Sequence, residues 1–363
     1  MYTAEHPRRS ERLPRIVLAG AYVDVLGARS DALSRELAQV AHVRHVAGRS
    51  MLSVYRVAAR ALSRDGFEAV HLLDARLAPV GAMLRARQGV PVSATVNPAR
   101  VAGRGIGSHL ARRALDRLDQ GFASDHGTVR FLREHARRLP VVLTPAGSAP
   151  PQEPAPRKLS SISRLLRDVV PGRPVVGVPW TADIDYMRWH RDAVAPLLTG
   201  NPLCLLLGAP SSRQARLVFG ANGVQADYRV HTGALDAETL AAAARCVDVF
   251  VVAGAPARPQ IEPDMLMAMA ASRVPLVVGG GLRSSILRHE ANAFIATAGD
   301  PLSLVSTLNQ VLALPAIQRH CLGEQFADYT LLQHTWEHAA SVYAERFAVM
   351  VGRPPIPADL RAA

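Results

Sequence analysis

Lysine is almost absent from this sequence: Lys158 is the only one among its 42 basic residues. The formal net charge is nonetheless +12, so arginine carries the positive charge and favours anionic partners such as nucleotide phosphates or phospholipid surfaces. Aromatic residues are scarce as well, at 5% of the chain, and no basic stretch is interleaved with stacking rings. This combination predicts a protein that does not bind nucleic acid.

Cysteines and long apolar runs are also few. Cys204, Cys246 and Cys321 lie far apart and form no CxxC pair, so we expect small buried side chains in a reducing compartment. No apolar run approaches the roughly 20 residues that span a bilayer. The first residues lack the apolar centre of a secretory signal. These absences predict a cytoplasmic protein.

Short apolar runs alternate with helical patterns along most of the chain. The run at residues 14–21 and the run at residues 67–73 read as buried strands, each followed by a helix. A proline-rich stretch at residues 146–158, which we interpret as an interdomain linker, interrupts the alternation, which then restarts. Strands alternating with helices indicate parallel sheets with crossover connections. The sequence therefore predicts two doubly wound α/β domains, residues 1–160 and 161–335, with ligands at the carboxyl ends of the strands.

The run from Val230 to about Phe347 contains the pieces HTGALDAETLAAAARCVDVFVVAG, MAMAASRVPLVVGGGL, NAFIATAGDPLSLVSTLNQVL and HTWEHAASVYAERF. In content and order these pieces resemble the donor domain of family 4 retaining glycosyltransferases, and the last of them is similar to that family's closing helix. The first domain matches more loosely, through LGARSDALSREL, FEAVHLLDARL and LPVVLTPAG. The resemblance implies a GT-B fold, two Rossmann-like domains facing a cleft, with residues 336–363 packing back on the first domain.

The resemblance also implies a reaction: transfer of a hexosyl group from a nucleoside diphosphate sugar to a hydroxyl acceptor, with retention of configuration. The sugar nucleotide is then a co-substrate, and neither a cofactor nor a metal ion is expected. Asp183 and Asp185 have the spacing of a metal-binding pair, but they precede a predicted helix and are interpreted as its capping acids.

The donor diphosphate needs an anion site. A helix N-terminus beside a flexible loop offers one, and the stretch AGAPARPQIEPDMLMAMAAS supplies a loop and then a helix that opens near Pro263. The alternative is an ordinary connection between a strand and a helix. The resulting donor-binding candidates are Arg213, Thr232, Gly233, Arg258, Ile261, Pro263 and Met267.

The donor segment departs from the family in its charged residues. Pro259 and Met267 stand where the family has the two glutamates of its Glu-x7-Glu pair. Glu262 either replaces the glutamate that contacts the transferred sugar or simply starts the helix as a favourably placed acid. Val178 stands in place of the family's phosphate-binding arginine, and the matching lysine is missing. Arg213 and Arg258 are the replacements that the sequence offers.

In the first domain, Asn97 replaces the family's histidine in the stretch ATVNPAR. His71 and Asp74 match its "H-A-H-D" run in part, and His71 is either an active-site residue or a strand-end histidine without chemistry. The catalytic candidates are Glu262, Asn97 and His71. The acceptor-side candidates are Gly27, Ala28 and Asp74.

Residues 103–121 predict a basic amphipathic helix. Its apolar stripe comprises Ile106, Leu110, Leu115 and Leu118, and its charge comes from arginines. Such a helix either lies on an anionic membrane surface or is an ordinary surface helix of an arginine-rich protein. A peripheral contact with the membrane would suit a lipid-linked acceptor, and a glycan acceptor stays open beside it.

The eroded donor segment leaves a second class of function open. A non-catalytic GT-B homologue, acting as a binding or partner subunit, would keep the scaffold and lose the charged residues. A nicotinamide-dependent oxidoreductase is disfavoured, because AGAYVDVLGA after the first strand does not form the G-x-G-x-x-G fingerprint.

Overall fold

The structure is a computed structural model that describes residues 13–21, 27–48, 50–101, 105–148, 153–181, 187–188, 190–194, 201–220, 227–253, 263–279, 286–297 and 299–353. Internal contacts divide the chain into two units, Met1–Pro145 with Trp336–Ala363, and Ala146–Thr335. The division falls at Pro145 rather than at residue 160, because the helix Pro156–Leu165 packs in the core of the second unit.

The first unit contains a six-stranded parallel sheet in the order β2-β1-β3-β4-β5-β6. Its strands are β1 (Arg15–Ala21), β2 (His42–Gly48), β3 (Ala69–Leu72), β4 (Val92–Thr95), β5 (Gln120–Ala123) and β6 (Val141–Leu143). Every residue of β3 and β4 is buried, the pattern of parallel strands that helices cover on both faces.

Helices cover both faces of this first sheet. One face packs against α2 (Met51–Asp65), α3 (Ala78–Gln88), α5 (Ile106–Leu115) and α6 (His126–His135). The other face packs against α1 (Gly27–Val40) and against α13 (Trp336–Met350), which is the last helix of the chain. The four-residue helix α4 (Pro98–Val101) follows β4.

Buried hydrogen bonds fasten α13 to the first sheet. The hydroxyl oxygen of Tyr343 lies 2.7 Å from Thr95 Oγ1, which lies 3.0 Å from Nε2 of His71. The rings of Phe122 and Phe347 pack against the imidazole, with centroids 5.4 Å away in both cases. The final helix is thus part of the core of the first unit.

The second unit contains another six-stranded parallel sheet, in the order β12-β11-β10-β7-β8-β9. Its strands are β7 (Val175–Pro179), β8 (Leu203–Ala209), β9 (Tyr228–Thr232), β10 (Val249–Val252), β11 (Leu276–Gly279) and β12 (Phe294–Ala296). Counted from the start of this unit, the order corresponds to 3-2-1-4-5-6, that of a dinucleotide-binding Rossmann domain.

Two layers of helices bury the second sheet. The helices α7 (Pro156–Leu165), α9 (Ala237–Ala244) and α10 (Pro263–Ala270) cover one face. The helical residues 187–188 and 190–194, with α8 (Ser212–Phe219) and α11 (Pro301–Ala313), cover the other. The long helix α12 (Ala316–Gln333) packs against α10.

The structure confirms the predicted α/β fold with two doubly wound, Rossmann-like units. Two local predictions were wrong. The basic helix predicted over residues 103–121 is shorter, because α5 ends at Leu115 and β5 begins at Gln120. Its apolar stripe is also divided, since Leu115 and Leu118 are buried whereas Ile106 and Leu110 are exposed. Residues 156–158 of the predicted linker belong to α7.

A close backbone approach leaves no room for a side chain at one glycine of α12. A Cβ atom at Gly323 would lie 2.1 Å from the carbonyl oxygen of Arg273. We therefore expect Gly323→Ala to lower the free energy of unfolding by about 1–3 kcal/mol, since neither backbone can give way cheaply. Urea unfolding measures this change. The control is Gly107→Ala in α5, where a Cβ meets nothing within 4 Å. A Gly323→Ala protein as stable as this control would contradict the packing.

Burial of His190 predicts an acid limb of the stability curve. The imidazole is fully buried, and this burial lowers its pKa from 6.5 to about 4, while a hydrogen bond with the backbone of Val251 opposes the shift only in part. As the pH falls from about 6.5 to 4, His190 binds a proton in the unfolded chain but stays largely neutral in the folded protein. The free energy of unfolding should therefore fall by about 3 kcal/mol over this range.

The His190→Gln variant tests this assignment, because it keeps polar atoms at the site but cannot titrate. Its loss of stability between pH 6.5 and pH 4, followed by urea unfolding, should be smaller than that of the unmodified protein. The control is His320→Gln, which removes an exposed imidazole from α12. If the free energy of unfolding of His190→Gln falls as much between pH 6.5 and pH 4 as that of the control, His190 is not the cause of the loss of stability in acid.

Candidate functional site

Four of the predicted donor-binding residues follow or end strands of the second sheet at its carboxyl edge. In this sheet β7 lies beside β10, and the crossover helices change face between these two strands, which is the topological switch point where ligands bind in folds of this type. Strand β10 ends at Val252, and the next helix, α10, begins at Pro263. Arg258, Ile261 and Glu262 lie between these two elements in sequence and are outside the described residues. The segment with most of the predicted donor chemistry therefore follows, in sequence, the strand at the topological switch point.

Arg213 lies at the same edge, in the first turn of α8. The side chain of Ser211 caps this helix by accepting a hydrogen bond from the backbone N of Gln214 at 3.2 Å. No acidic residue occupies the first turn, and the Arg213 side chain is exposed. The positive end of the helix dipole and the guanidinium of Arg213 both favour an anionic group here.

Thr232 ends β9 at this edge as well, and Gly233 follows it directly. Thr232 is the last residue of the strand and is exposed. Gly233 has a φ of 116°, a backbone conformation that favours glycine, and a Cβ there would meet nothing within 4 Å. The ends of β8, β9 and β10 thus bring Arg213, Thr232, Gly233 and Pro263 to one edge of one sheet.

Lys158, the only lysine of the chain, is engaged in a structural cluster. Its Nζ donates hydrogen bonds to Asp236 Oδ2 at 3.2 Å and to Thr239 Oγ1 at 3.0 Å. Asp236 also caps α9, accepting from the backbone N of Thr239 at 2.8 Å. His231 is buried on β9, and burial, together with the positive charge of Lys158, lowers its pKa. The lysine therefore ties α7 to α9.

Met267 is fully buried in the apolar core, where it packs among the residues of α10 and the sheet. It occupies the position where the resemblance places a ribose-binding glutamate. The structure gives its side chain a packing role, and contact with a donor stays a prediction for it and for the residues at the edge.

The carboxyl edge of the first sheet holds the acceptor-side candidates. Gly27 and Ala28 open α1 after β1, Asp74 follows β3, and Asn97 follows β4. The carboxylate of Asp74 is buried and accepts hydrogen bonds from the backbone N of Arg76 at 2.9 Å and from its Nε at 2.8 Å. Asn97 is half-buried. These four residues therefore surround the ends of β1, β3 and β4, where the strand order of this sheet reverses.

His71 lies inside the first sheet rather than at its edge. Its ring is fully buried, with Nδ1 at 2.9 Å from Ser93 Oγ and Nε2 at 3.0 Å from Thr95 Oγ1. Both ring nitrogens are thus held by hydroxyl groups of the neighbouring strand. This geometry favours the interpretation of His71 as a core histidine over its prediction as a catalytic residue.

The structure contains two polar clusters that the sequence alone does not predict. The first joins His71, Ser93, Thr95 and Tyr343. The sequence feature that could have indicated it is the spacing of two hydroxyl residues along one face of β4. The second is centred on Lys158, and the feature that could have indicated it is a single lysine in a chain that otherwise uses arginine. No group of three or more histidine, cysteine, aspartate or glutamate side chains placed to hold a metal ion occurs within the ranges that the structure describes.

Glycosyltransferases and sugar synthases are among the solved structures that are similar to this chain. Sucrose-phosphate synthase from Thermosynechococcus elongatus is 15% identical, with a TM-score of 0.70, over 93% of this chain and 100% of that one. HepE from Anabaena, in complex with UDP and glucose, is 13% identical, with a TM-score of 0.68, over 92% and 100%.

The catalytic domain of starch synthase IV from Arabidopsis thaliana, bound to ADP and acarbose, is likewise 13% identical, with a TM-score of 0.67, over 94% of this chain and 100% of that one. Neither a protein-family model nor a curated protein sequence matches the chain. The likeness extends over nearly the whole length of each structure, so this chain has the GT-B fold.

Proposed function

We propose that this protein is a glycosyltransferase of the family 4 type, which moves a hexosyl group from a nucleoside diphosphate sugar to a hydroxyl acceptor with retention of configuration. The observation that carries the proposal is the switch point of the second sheet. In sequence, Arg258 and Glu262 lie between β10, the strand at this switch point, and α10, which begins at Pro263. Two similar structures support it, since HepE holds UDP and glucose and starch synthase IV holds ADP and acarbose.

The diphosphate of the donor would meet arginine rather than lysine. A leaving diphosphate develops negative charge in the transition state, and cations fixed beside it stabilise that charge. Lys158 is bonded to Asp236 and Thr239, so its charge is already neutralised within the second unit. Arg213, exposed at the N-terminus of α8, and Arg258 are the cations that we assign to the phosphates. A guanidinium can hold two phosphate oxygens at once, which suits this task.

The remaining donor contacts follow from the same edge. Thr232 and Gly233, at the end of β9, and Ile261, before α10, are assigned to the nucleoside. Glu262 is assigned to the transferred sugar, because it immediately precedes Pro263 at the start of α10. A carboxylate at this place accepts hydrogen bonds from sugar hydroxyls and is stabilised by the helix dipole.

The acceptor would bind at the edge of the first sheet. Asp74 and Asn97 follow adjacent strands there, and the start of α1 at Gly27 and Ala28 lies beside them. Asn97 is the candidate that contacts the reacting groups, since Asp74 is already bonded to Arg76. We further propose that the acceptor is a lipid-linked sugar or a glycan, and that the protein works at the cytoplasmic face of a membrane.

The two arginines test the donor site. Replacing Arg213 and Arg258 together by alanine should weaken binding of the donor nucleotide at least tenfold, about 1.4 kcal/mol, because the phosphates lose both full cations. Isothermal titration with UDP, GDP and TDP measures the affinity. The matched control is Arg216→Ala, an exposed arginine in the last turn of α8. Equal affinities in the double variant and the control, both folded, would remove the arginines from the site.

Glu262 tests catalysis itself. Glu262→Gln should lower the rate of glycosyl transfer by at least a hundredfold while nucleotide affinity changes less than threefold, since the amide keeps the shape but not the charge. Transfer and donor hydrolysis are measured with a panel of UDP-, GDP- and TDP-sugars. The control is Glu238→Gln, an exposed acid in the first turn of α9. If no donor is bound or turned over by the unmodified protein, the chain is instead a non-catalytic GT-B subunit.

A further inference from the structure

Residues 233–236 connect β9 to α9 at the edge of the second sheet where the donor nucleoside is proposed to bind. We call them the nucleoside segment. Gly233 and Ala234 are exposed, whereas Leu235 and Asp236 are half-buried. Holding a backbone in one conformation costs entropy for every residue, so a connection of this length keeps one shape only where its residues are anchored.

The end of β8 holds one side of the nucleoside segment. The backbone N of Gly233 donates a hydrogen bond to the carbonyl oxygen of Ala209 at 3.1 Å. Leu235 approaches Gly208 so closely that a Cβ added to this glycine would lie 2.8 Å from the Cβ of Leu235. The first and third residues of the segment are therefore anchored to the neighbouring strand.

Lys158 of α7 holds the second and fourth residues. Its Nζ donates to Thr239 Oγ1 at 3.0 Å, and this hydroxyl donates in turn to the carbonyl oxygen of Ala234 at 3.2 Å. The same ammonium donates to Asp236 Oδ2 at 3.2 Å. One side chain thus anchors Asp236 directly and Ala234 through the hydroxyl of Thr239.

His231 lies beside this cluster without competing for it. The histidine pairs with Leu207 in the sheet, so both side chains point to the face that α7 and α9 cover. Burial, together with the positive charge of Lys158, lowers the pKa of the imidazole. A neutral imidazole leaves the ammonium of Lys158 as the cation beside Asp236 in this cluster.

The choice of lysine fits the geometry of the anchor. Lys158 is the only lysine among the 42 lysine and arginine residues of the chain. An ammonium is a compact charge with three diverging N–H donors, whereas a guanidinium is a wide, planar fork. Lys158 directs two of its donors to acceptors at the start of α9, and Thr239 is fully buried there. A narrow, enclosed site of this kind favours the ammonium.

We propose that Lys158 is a positioning residue, which fixes the nucleoside segment through Asp236 and Thr239 so that the donor nucleoside meets a surface that is already ordered. A ligand that binds a preordered surface does not bear the entropic cost of ordering it, and its affinity is higher. The inference rests on the proposed function for the identity of the ligand, a nucleoside diphosphate.

Thr239→Val tests the proposal without a change of charge. Valine has the shape of threonine but neither accepts from Lys158 nor donates to Ala234. For whichever of UDP, GDP and TDP binds most tightly, isothermal titration should show a loss of affinity of about fivefold or more. Affinity for inorganic pyrophosphate, which has no nucleoside, should change less than about twofold. Thr239→Ser restores the hydroxyl and should return nucleotide affinity to within about twofold of the unmodified protein.

Lys158→Met removes the ammonium and keeps the aliphatic stem. It should also weaken nucleotide binding about fivefold or more, because Ala234 and Asp236 lose their common anchor. The double variant Lys158→Met, Thr239→Val should bind within about twofold of Lys158→Met alone, since both changes break the same connection.

Hydrogen exchange of the Gly233 amide reports the order of the segment without any ligand. If nucleotide affinity falls fivefold through loss of order, the ordered form has dropped to about a fifth of the molecules. Exchange of this amide, followed by NMR on the full chain, should therefore become at least about tenfold faster in Thr239→Val and in Lys158→Met.

Two controls remove similar groups from other places in the second unit. Arg173→Met breaks an ion pair with Asp227, which precedes β9 and lies at the opposite edge of the sheet. Thr330→Val removes from α12 a buried hydroxyl that has no hydrogen-bond partner among the described residues. Both controls should keep nucleotide affinity and Gly233 exchange within about twofold of the unmodified protein. Circular dichroism checks that each variant is folded, and Thr239→Val decides alone if Lys158→Met does not fold.

The role of Lys158 is overturned if nucleotide binds equally to the unmodified protein and to Thr239→Val, or if Thr239→Val loses pyrophosphate and nucleotide affinity alike. Unchanged exchange at Gly233 would overturn it as well. In all three cases the proposed glycosyl transfer is untouched, because the unmodified protein still binds its nucleotide. If the unmodified protein binds none of the nucleotides, the proposed function fails, and the inference fails with it even where the exchange responds as expected.

Discussion

Both units depend on one constraint, that a parallel sheet must be covered by helices on both faces. The first sheet is covered on both faces only because the last helix, α13, packs against one of them. On one face α1 covers part of the sheet, and α13 covers the remainder with Tyr343, Ala344 and Phe347. Without α13, Phe122 and its neighbours would face water, at a cost of about 1.5–3 kcal/mol for each large side chain. The hydrogen bonds from Tyr343 to Thr95 and on to His71 set the position of this helix on the sheet.

The same constraint decides where chemistry can lie. Since both faces of each sheet are filled, ligands are left with the carboxyl edges, where loops are less restrained by packing. Replacements at the edges can accumulate while the strands stay intact. Met267 illustrates the limit of this freedom: one turn into α10, a residue already belongs to the core and is held there by its neighbours. A carboxylate at that depth would need a partner, and an apolar side chain needs none.

The sequence predicts those parts of the structure whose pattern lies within one segment of the chain. The buried strands were predictable, because runs such as LCLLLGA and VFVV have no other stable place. The strand β2, with the sequence HVRHVAG, was missed because three of its residues are histidine or arginine. It lies at the outer edge of the sheet, where such side chains reach solvent, and edge position is a property of the sheet order rather than of the segment.

The candidate site was less predictable, for a different physical reason. His71 looked like a strand-end histidine, but whether its nitrogens reach solvent depended on Ser93 and Thr95 of the adjacent strand and on a helix about 270 residues later. The extent of α5 likewise depended on the start of β5, which no pattern within residues 103–121 revealed. These details depend on partners that are far apart in sequence, so the pattern within one segment does not predict them.

The use of arginine is consistent with the proposed donor site. At the edge of the second sheet, a guanidinium would hold a diphosphate by paired hydrogen bonds. The one lysine of the sequence is placed where this task is not needed, between Asp236 and Thr239. Arg213, in contrast, is exposed in the first turn of α8, and no acidic residue shares that turn. The proposed donor site therefore depends on guanidinium groups rather than on an ammonium group, because the only ammonium side chain is held in a structural cluster.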